Sequence, residues 1–211
     1  WYDEKTDSIT LSGRHQDIVI NIDYSTLQIN YIIGDPTNWE KDYLKYFLTP
    51  IGNTEFEWQY AQHAAMILPN GDIFIFDNGN NKTKTGENAV PANNSYSRGV
   101  IYRVNKNDMT IEQIWQYGKE QGAKFYSPYI SDVDYINENH YIVHSGGHSE
   151  LDGNTLNTPA GLGKVDKLTS TTVEIKNNRE IFKEDYLVKE SKIELLKKTA
   201  KSEEKIIALS Q

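Results

Sequence analysis

The sequence contains no cysteine in 211 residues. Disulfides, zinc-thiolate sites and thiol nucleophiles are therefore excluded. Positive charge is also scarce: 22 Lys and Arg stand against 30 Asp and Glu, a net charge of −8 and a pI near 5.2. Phosphate backbones are bound by clustered cations that release counterions, so nucleic acid is not expected as a partner. The one lysine-rich stretch, Lys189 to Lys205, interleaves its lysines with Glu190, Glu194, Glu203 and Glu204, the pattern of a solvated helix face. No segment approaches the roughly 20 apolar residues of a membrane span. There is no P-loop and no Gly-x-Ser-x-Gly elbow, which disfavours nucleotide-driven transfer and serine hydrolysis.

What is present is aromatic and β-branched. The chain has 14 Tyr and 4 Trp within a hydrophobic fraction of 37%, a composition that favours strands. Ser8-Ile-Thr-Leu-Ser-Gly13, Asp17-Ile-Val-Ile-Asn-Ile22 and Leu27-Gln-Ile-Asn-Tyr-Ile-Ile33 read as a three-strand antiparallel meander. Asn38 to Leu48 has helical spacing and reads as an inserted loop with a turn or two of helix. Met66-Ile-Leu68 and Ile73-Phe-Ile-Phe76, joined through Asn70-Gly-Asp72, form a hairpin signature.

The run Ile18 to Gly34 is echoed by Val100 to Gly118, with a degenerate third copy over Gly161 to Ile175. Four-stranded antiparallel units recurring at long intervals point to an all-β chain of propeller blades, with a sandwich as the rival. Three blades do not close a ring, so residues 1–183 are expected to be part of a larger propeller that begins upstream of Trp1. Residues 184–211 place Ile193, Leu196, Ala200 and Ile207 at helical spacing and predict a C-terminal helical tail, packed on the surface or against a partner.

Two polar motifs precede inner strands of adjacent repeats: Ser12-Gly-Arg14-His15-Gln16 and Tyr60-Ala-Gln-His63-Ala. In a propeller such positions converge on the central channel. A guanidinium matches the oxygens of an oxyanion while an imidazole attacks or shuttles protons. Tyr126, Ser127 and Ser131 are candidates to line the same pocket. His15 is expected to face away from Arg14 if the backbone there is extended.

Asp7-Ser-Ile-Thr-Leu-Ser-Gly-Arg-His-Gln16, Ile33-Gly-Asp-Pro36, Leu48-Thr-Pro50, Gln62-His-Ala-Ala65, Phe76-Asp-Asn-Gly79, Tyr96-Ser-Arg-Gly-Val-Ile-Tyr102, Ile114-Trp-Gln-Tyr-Gly-Lys-Glu120 and Phe125-Tyr-Ser-Pro128 together resemble, in the same order, the bacterial arylsulfate sulfotransferases. The resemblance implies a six-bladed propeller, about three blades of which lie here. It implies transfer of a sulfuryl group from an aryl sulfate to a phenol by a ping-pong route through a sulfated histidine, without a nucleotide sulfate donor, metal or other cofactor. It further implies that His63 is that histidine, that Arg14 grips the sulfuryl oxygens, and that the protein is exported to the periplasm or cell surface. The family's His-x-Asn motif and a further active-site histidine would lie before Trp1, so residues 1–211 alone are expected to lack donors to the sulfuryl group. Aryl sulfates and phenols are the expected partners, and a homodimer stays open.

The rival from another class is a non-catalytic propeller that binds a ligand or partner. His140, His144 and His148 recur every four residues, but Tyr141-Ile-Val143 reads as strand and Gly146-Gly147 breaks any helix. A shared metal face is therefore not expected. Asp77-Asn-Gly-Asn-Asn81 departs from a calcium loop at its third position and reads as a turn.

Overall fold

The computed structural model describes residues 1–52, 55–158 and 162–188. The chain is mostly β and builds three sheets, one after another along the sequence. The first contains β1 (Tyr2–Asp3), β2 (Ser8–Gly13), β3 (Ile18–Asp23) and β4 (Ile29–Ile33) in that order, all antiparallel. This is the expected meander with a short strand added at its edge. The one α-helix among the described residues, α1 (Lys41–Leu44), is a single turn in the following loop.

The second sheet uses β5 (Thr49–Pro50), β6 (His63–Ile67), β7 (Ile73–Asp77), β8 (Arg98–Asn105) and β9 (Thr110–Tyr117), in the order β5-β9-β8-β7-β6. Only the β5 and β9 contact is parallel. The third contains β10 (Asp132–Asn137), β11 (His140–Leu151), β13 (Lys167–Lys176) and β14 (Arg179–Val188), with the two-residue β12 (Asn154–Thr155) beside β11.

Strand periodicity explains how the sheets stack. β7 reads Ile-Phe-Ile-Phe-Asp and is buried throughout. Successive side chains leave a strand on opposite faces, so Ile73 and Ile75 join Val19, Tyr31 and Ile33 of the first sheet in one core. Phe74 and Phe76 join Val133, Tyr141, Val143 and Val173 of the third in another. β8 repeats the division, with Val100 and Tyr102 on one side and Ile101 on the other. The middle sheet is thus buried on both faces at β7 and β8, which is why these strands show long apolar runs without polar alternation.

Two expectations change at the C-terminal end. The sequence puts the third repeat copy over Gly161 to Ile175, but residues 162–166 form no strand, and β13 pairs with β11. The outer strand of this sheet is β14, reached through Asn177 and Asn178 at φ of 50° and 59°. Paired positive φ values define the tight hairpin turn that matches strand twist, and Asn tolerates them. The expected boundary between residues 183 and 184 falls inside β14. Glu184 to Val188 are therefore strand, not helix, while Ile193, Leu196, Ala200 and Ile207 lie outside the described residues.

Candidate active site

The first of the two polar motifs folds as a turn. Arg14–Gln16 is one turn of 3-10 helix that ends on Asp17 in the left-handed region, φ 53°. The backbone is not extended, so the alternation expected to set His15 opposite Arg14 does not apply. His15 is exposed and Arg14 half-buried. Arg14 Nη2 donates to the carbonyl of Pro128, 2.8 Å away. Its remaining N–H groups have no hydrogen-bond partner among the described residues.

The second motif is tied to the first sheet by its glutamines. Gln59 Nε2 donates to the carbonyl of Ile33 at 3.0 Å, and Gln62 Nε2 to that of Ile18 at 2.7 Å and to Ser12 Oγ at 3.1 Å. Asp17 Oδ1 accepts from the backbone N–H of Ala61 at 2.6 Å. These bonds deliver His63 half-buried at the first position of β6. Ala61 and Ala64, on either side of it, have φ of 53° and 51°. An alanine held in the left-handed region costs on the order of 1 kcal/mol, and such strain gathers where a side chain must be aimed. A register shift between His63 and Met66 marks the same bend.

His63 Nδ1 lies 2.7 Å from Asn78 Oδ1. Asn78 is fully buried, and its Nδ2 donates to the carbonyls of Ser127 at 2.7 Å and Ile130 at 3.1 Å. The turn that links the second and third sheets, residues 126–131, therefore receives Arg14 from the first sheet and the His63-Asn78 pair from the second. It is strained as well: Ile130 has φ 41° and Ser131 φ 139°, the former an outlier for a β-branched residue.

The other three candidates, Tyr126, Ser127 and Ser131, lie in this turn, with their hydroxyls occupied by protein. Tyr126 is fully buried and its hydroxyl bonds to Asn157 Oδ1. Burial and the charge of Asp77 push its phenol pKa up, against the opposing charge of Arg14. Ser131 Oγ donates to Ser127 Oγ and accepts from Gly146 N, both at 3.0 Å. Ser127 Oγ also accepts from Gly147 N at 2.8 Å. Both residues brace the turn through these bonds.

Sequence reading passed over the support behind Asn78. Asp77 Oδ1 accepts from the backbone N–H of Tyr60 and of Gly79, each at 2.9 Å, while Oδ2 pairs with Arg98 Nε at 3.0 Å. Both ionic side chains are completely buried. Gly79, at φ 71°, packs so closely on the Tyr96 carbonyl that a side chain there would collide with it. The signal was the Phe76-Asp-Asn-Gly79 string, in which the asparagine is the residue that touches His63. Asp77 has no free carboxylate oxygen for a calcium ion.

Outward from this pair, Arg98 Nη2 donates to the Glu57 carbonyl at 2.9 Å. The Glu57 carboxylate receives Lys119 at 2.8 Å, the Tyr96 hydroxyl, and Lys82 at 3.7 Å. Burial raises the Glu57 pKa, but the Lys119 and Tyr96 hydrogen bonds and the Lys82 and Arg98 charges outweigh it and hold the group at about 2. A carboxylate depressed in this way stabilises the fold fully above its ordinary 4.5. That contribution is lost as the pH falls toward about 2, because the unfolded chain then binds more protons. Comparing the urea midpoints of the unsubstituted protein and Glu57→Gln should show a gap that closes on acidification through this window. A gap independent of pH would contradict the depression.

The three histidines of β11 are separately engaged. His140 Nε2 meets Glu174 at 2.6 Å, His144 Nδ1 meets Thr172 at 2.8 Å, and His148 lies between the Tyr126 carbonyl and Glu150. His140 and His144 pair with Lys176 and Thr172 and share one side of the sheet, about 13 Å apart. The register shift between Ser145 and His148 sets His148 against Thr169, on the other side, so the three do not share a face. Among the described residues no three of His, Asp and Glu gather as a metal-binding group, and no helix is long and apolar enough to cross a membrane. A cavity of about 740 Å³ lined by Trp1, Tyr2, Met66, Pro69, Asp134 and Tyr135 opens at the far end of β6 from His63.

A half-buried imidazole and a guanidinium with free donors, carried by different sheets to one rigid turn, define a site suited to a small oxyanion. The chain belongs to the arylsulfotransferase (ASST) family, whose profile matches residues 1–202. It is 34% identical over 191 residues to the arylsulfate sulfotransferase AssT of Escherichia coli O6:H1, and 31% identical over 191 residues to that of Lelliottia amnigena. Each match covers 83% of this chain and 31% of the relative, so the chain spans about a third of the length of these relatives.

Proposed function

We propose that the three sheets are three blades of a six-bladed propeller and that the whole protein is an aryl sulfate sulfotransferase. The supporting observation is the convergence of Arg14 and the His63-Asn78 pair on residues 126–131, in a chain of the arylsulfotransferase family. His63 is the nucleophile. Its nitrogen lone pair attacks sulfur, the bond from sulfur to the aryl oxygen breaks, and the phenolate departs. In the second half-reaction an acceptor phenol attacks the sulfuryl group as its proton passes to the departed phenolate or to solvent. The sulfur-nitrogen bond breaks and neutral imidazole is restored.

Arg14 is the anchor for the sulfuryl oxygens. One N–H is fixed on Pro128, which holds the guanidinium plane while its other donors face the transferring group. These donors count for most when charge spreads over the sulfuryl oxygens in the transition state. Arg14→Ala in the full-length protein should lower kcat/KM by about 10²- to 10³-fold. Arg14→Lys should recover little, because an ammonium does not reproduce the planar fork. Steady-state kinetics with an aryl sulfate and a phenol check this, and unchanged kcat/KM in Arg14→Ala would remove Arg14 from the site. The export that the family resemblance implies is part of the same proposal: donor and acceptor would meet outside the cytoplasm, tested by fractionating cells that express the full-length protein.

A further inference from the structure

Asn78 has three hydrogen-bond contacts that admit only one arrangement of protons. The carbonyls of Ser127 and Ile130, at 2.7 and 3.1 Å, only accept, so the atom facing them must be the amide nitrogen. A flipped amide would set an oxygen against two oxygens in a fully buried position. The oxygen of Asn78 is therefore directed at His63 Nδ1, 2.7 Å away, and it also only accepts. The neutral imidazole must hold its proton on Nδ1. Nε2 is left with a lone pair and has no hydrogen-bond partner among the described residues.

We infer that Asn78 is the positioning residue for the transfer reaction: it fixes the Nδ1–H tautomer of His63 and presents Nε2 as the nitrogen that attacks sulfur. This rests on the reading of His63 as nucleophile. Attack then forms the Nε2–S bond as the sulfur–aryl oxygen bond breaks. The Nδ1 proton stays in place, so the sulfated ring carries its positive charge against the Asn78 oxygen. The second half-reaction breaks the same Nε2–S bond, and Nδ1 again neither gains nor loses a proton. Because Asn78 also grips the turn that holds Arg14 through Pro128, the nucleophile and the sulfuryl anchor are referred to one piece of backbone. Histidines whose tautomer is set by a partner on the other nitrogen are a general device, and losing such a partner costs up to about 10⁴-fold in a hydrolase that relies on it.

Two variants separate positioning from bracing. Asn78→Ala removes both functions, whereas Asn78→Asp keeps an acceptor for Nδ1–H and loses the donors to Ser127 and Ile130. The tautomer is read by ¹⁵N spectra of histidine-labelled full-length protein without substrate, at a pH where His63 is neutral. The unsubstituted protein and Asn78→Asp should show Nδ1 protonated, while Asn78→Ala should show the Nε2–H form or a mixture. Asn78→Ala should lose roughly 10²- to 10⁴-fold in kcat with KM little changed, and Asn78→Asp should recover at least a tenfold part of that loss. A protonated Nδ1 retained in Asn78→Ala, or an Asn78→Asp protein that is as stable as the unsubstituted one and keeps Nδ1 protonated yet is as slow as Asn78→Ala, would overturn the inference and leave Asn78 a brace for the turn. The spectra need no turnover, so their failure is separate from any failure of the nucleophile assignment, which His63→Ala tests.

Discussion

His63→Ala should abolish sulfuryl transfer in the full-length protein, lowering kcat by about 10⁴-fold or more, to the background of the uncatalysed exchange. A ping-pong route has no substitute for its nucleophile. Arg14 and the rest of the site can still bind an aryl sulfate, but there is no lone pair to receive the group. The fold should persist. The His63 side chain is only half-buried and has one hydrogen bond, to the fully buried Asn78, so stability should fall by about 1–3 kcal/mol, the cost of leaving that acceptor unpaired. Steady-state rates and a urea unfolding curve on the same sample provide the check. Retained turnover would assign the chemistry to another residue. Lost turnover together with lost folding would not count for His63, and His63→Gln, with similar bulk, then separates the two.

The largest effect on stability is expected at Asp77. Asp77→Ala removes the nearest carboxylate from the buried Arg98 guanidinium, leaving that of Glu57 at 3.8 Å, and takes an acceptor from the backbone N–H of Tyr60 and from that of Gly79, which keeps the Tyr60 carbonyl at 3.0 Å. Breaking a buried ion pair by deleting one partner costs about 3–5 kcal/mol. Urea unfolding should show this drop. Asp77→Ala with Arg98→Leu should recover part of it, since an apolar pair replaces a buried charge that has lost its nearest partner. Activity should fall as well, because Tyr60 and Gly79 flank the segments that carry His63 and Asn78. A loss below about 1 kcal/mol would show that water reaches Arg98 and that the pair is not buried as described.

Much of the architecture could be read from alternation in the sequence. Ile73 to Phe76 and Val100 to Tyr102 are continuous apolar runs because the middle sheet has a neighbour on each face, and the hairpin at Asn70-Gly71-Asp72 has the residues its geometry needs. The last strand was misread for an equally local reason. Arg179 to Leu187 mixes charged and apolar side chains, and the described side chains of Ile181, Phe182, Tyr186 and Leu187 are about half exposed, so no clear period of two survives. Only the Asn177-Asn178 turn signalled the return. At the site, residue type and motif singled out His63 and Arg14, but their connection was not legible. It runs through a main-chain carbonyl 114 residues from Arg14 and through an asparagine that resembles any turn residue. Carbonyl acceptors leave no trace in side-chain chemistry. Nor did the sequence show that the hydroxyls of Tyr126 and Ser131 already have partners within the protein.

The most direct measurement is the mass of the full-length protein after brief exposure to an aryl sulfate without acceptor, followed by peptide mapping. Covalent transfer predicts an addition of roughly 80 Da on the peptide that contains His63, removed when a phenol is added. Release of phenol with no adduct on any residue would contradict the histidine route and favour direct transfer or hydrolysis.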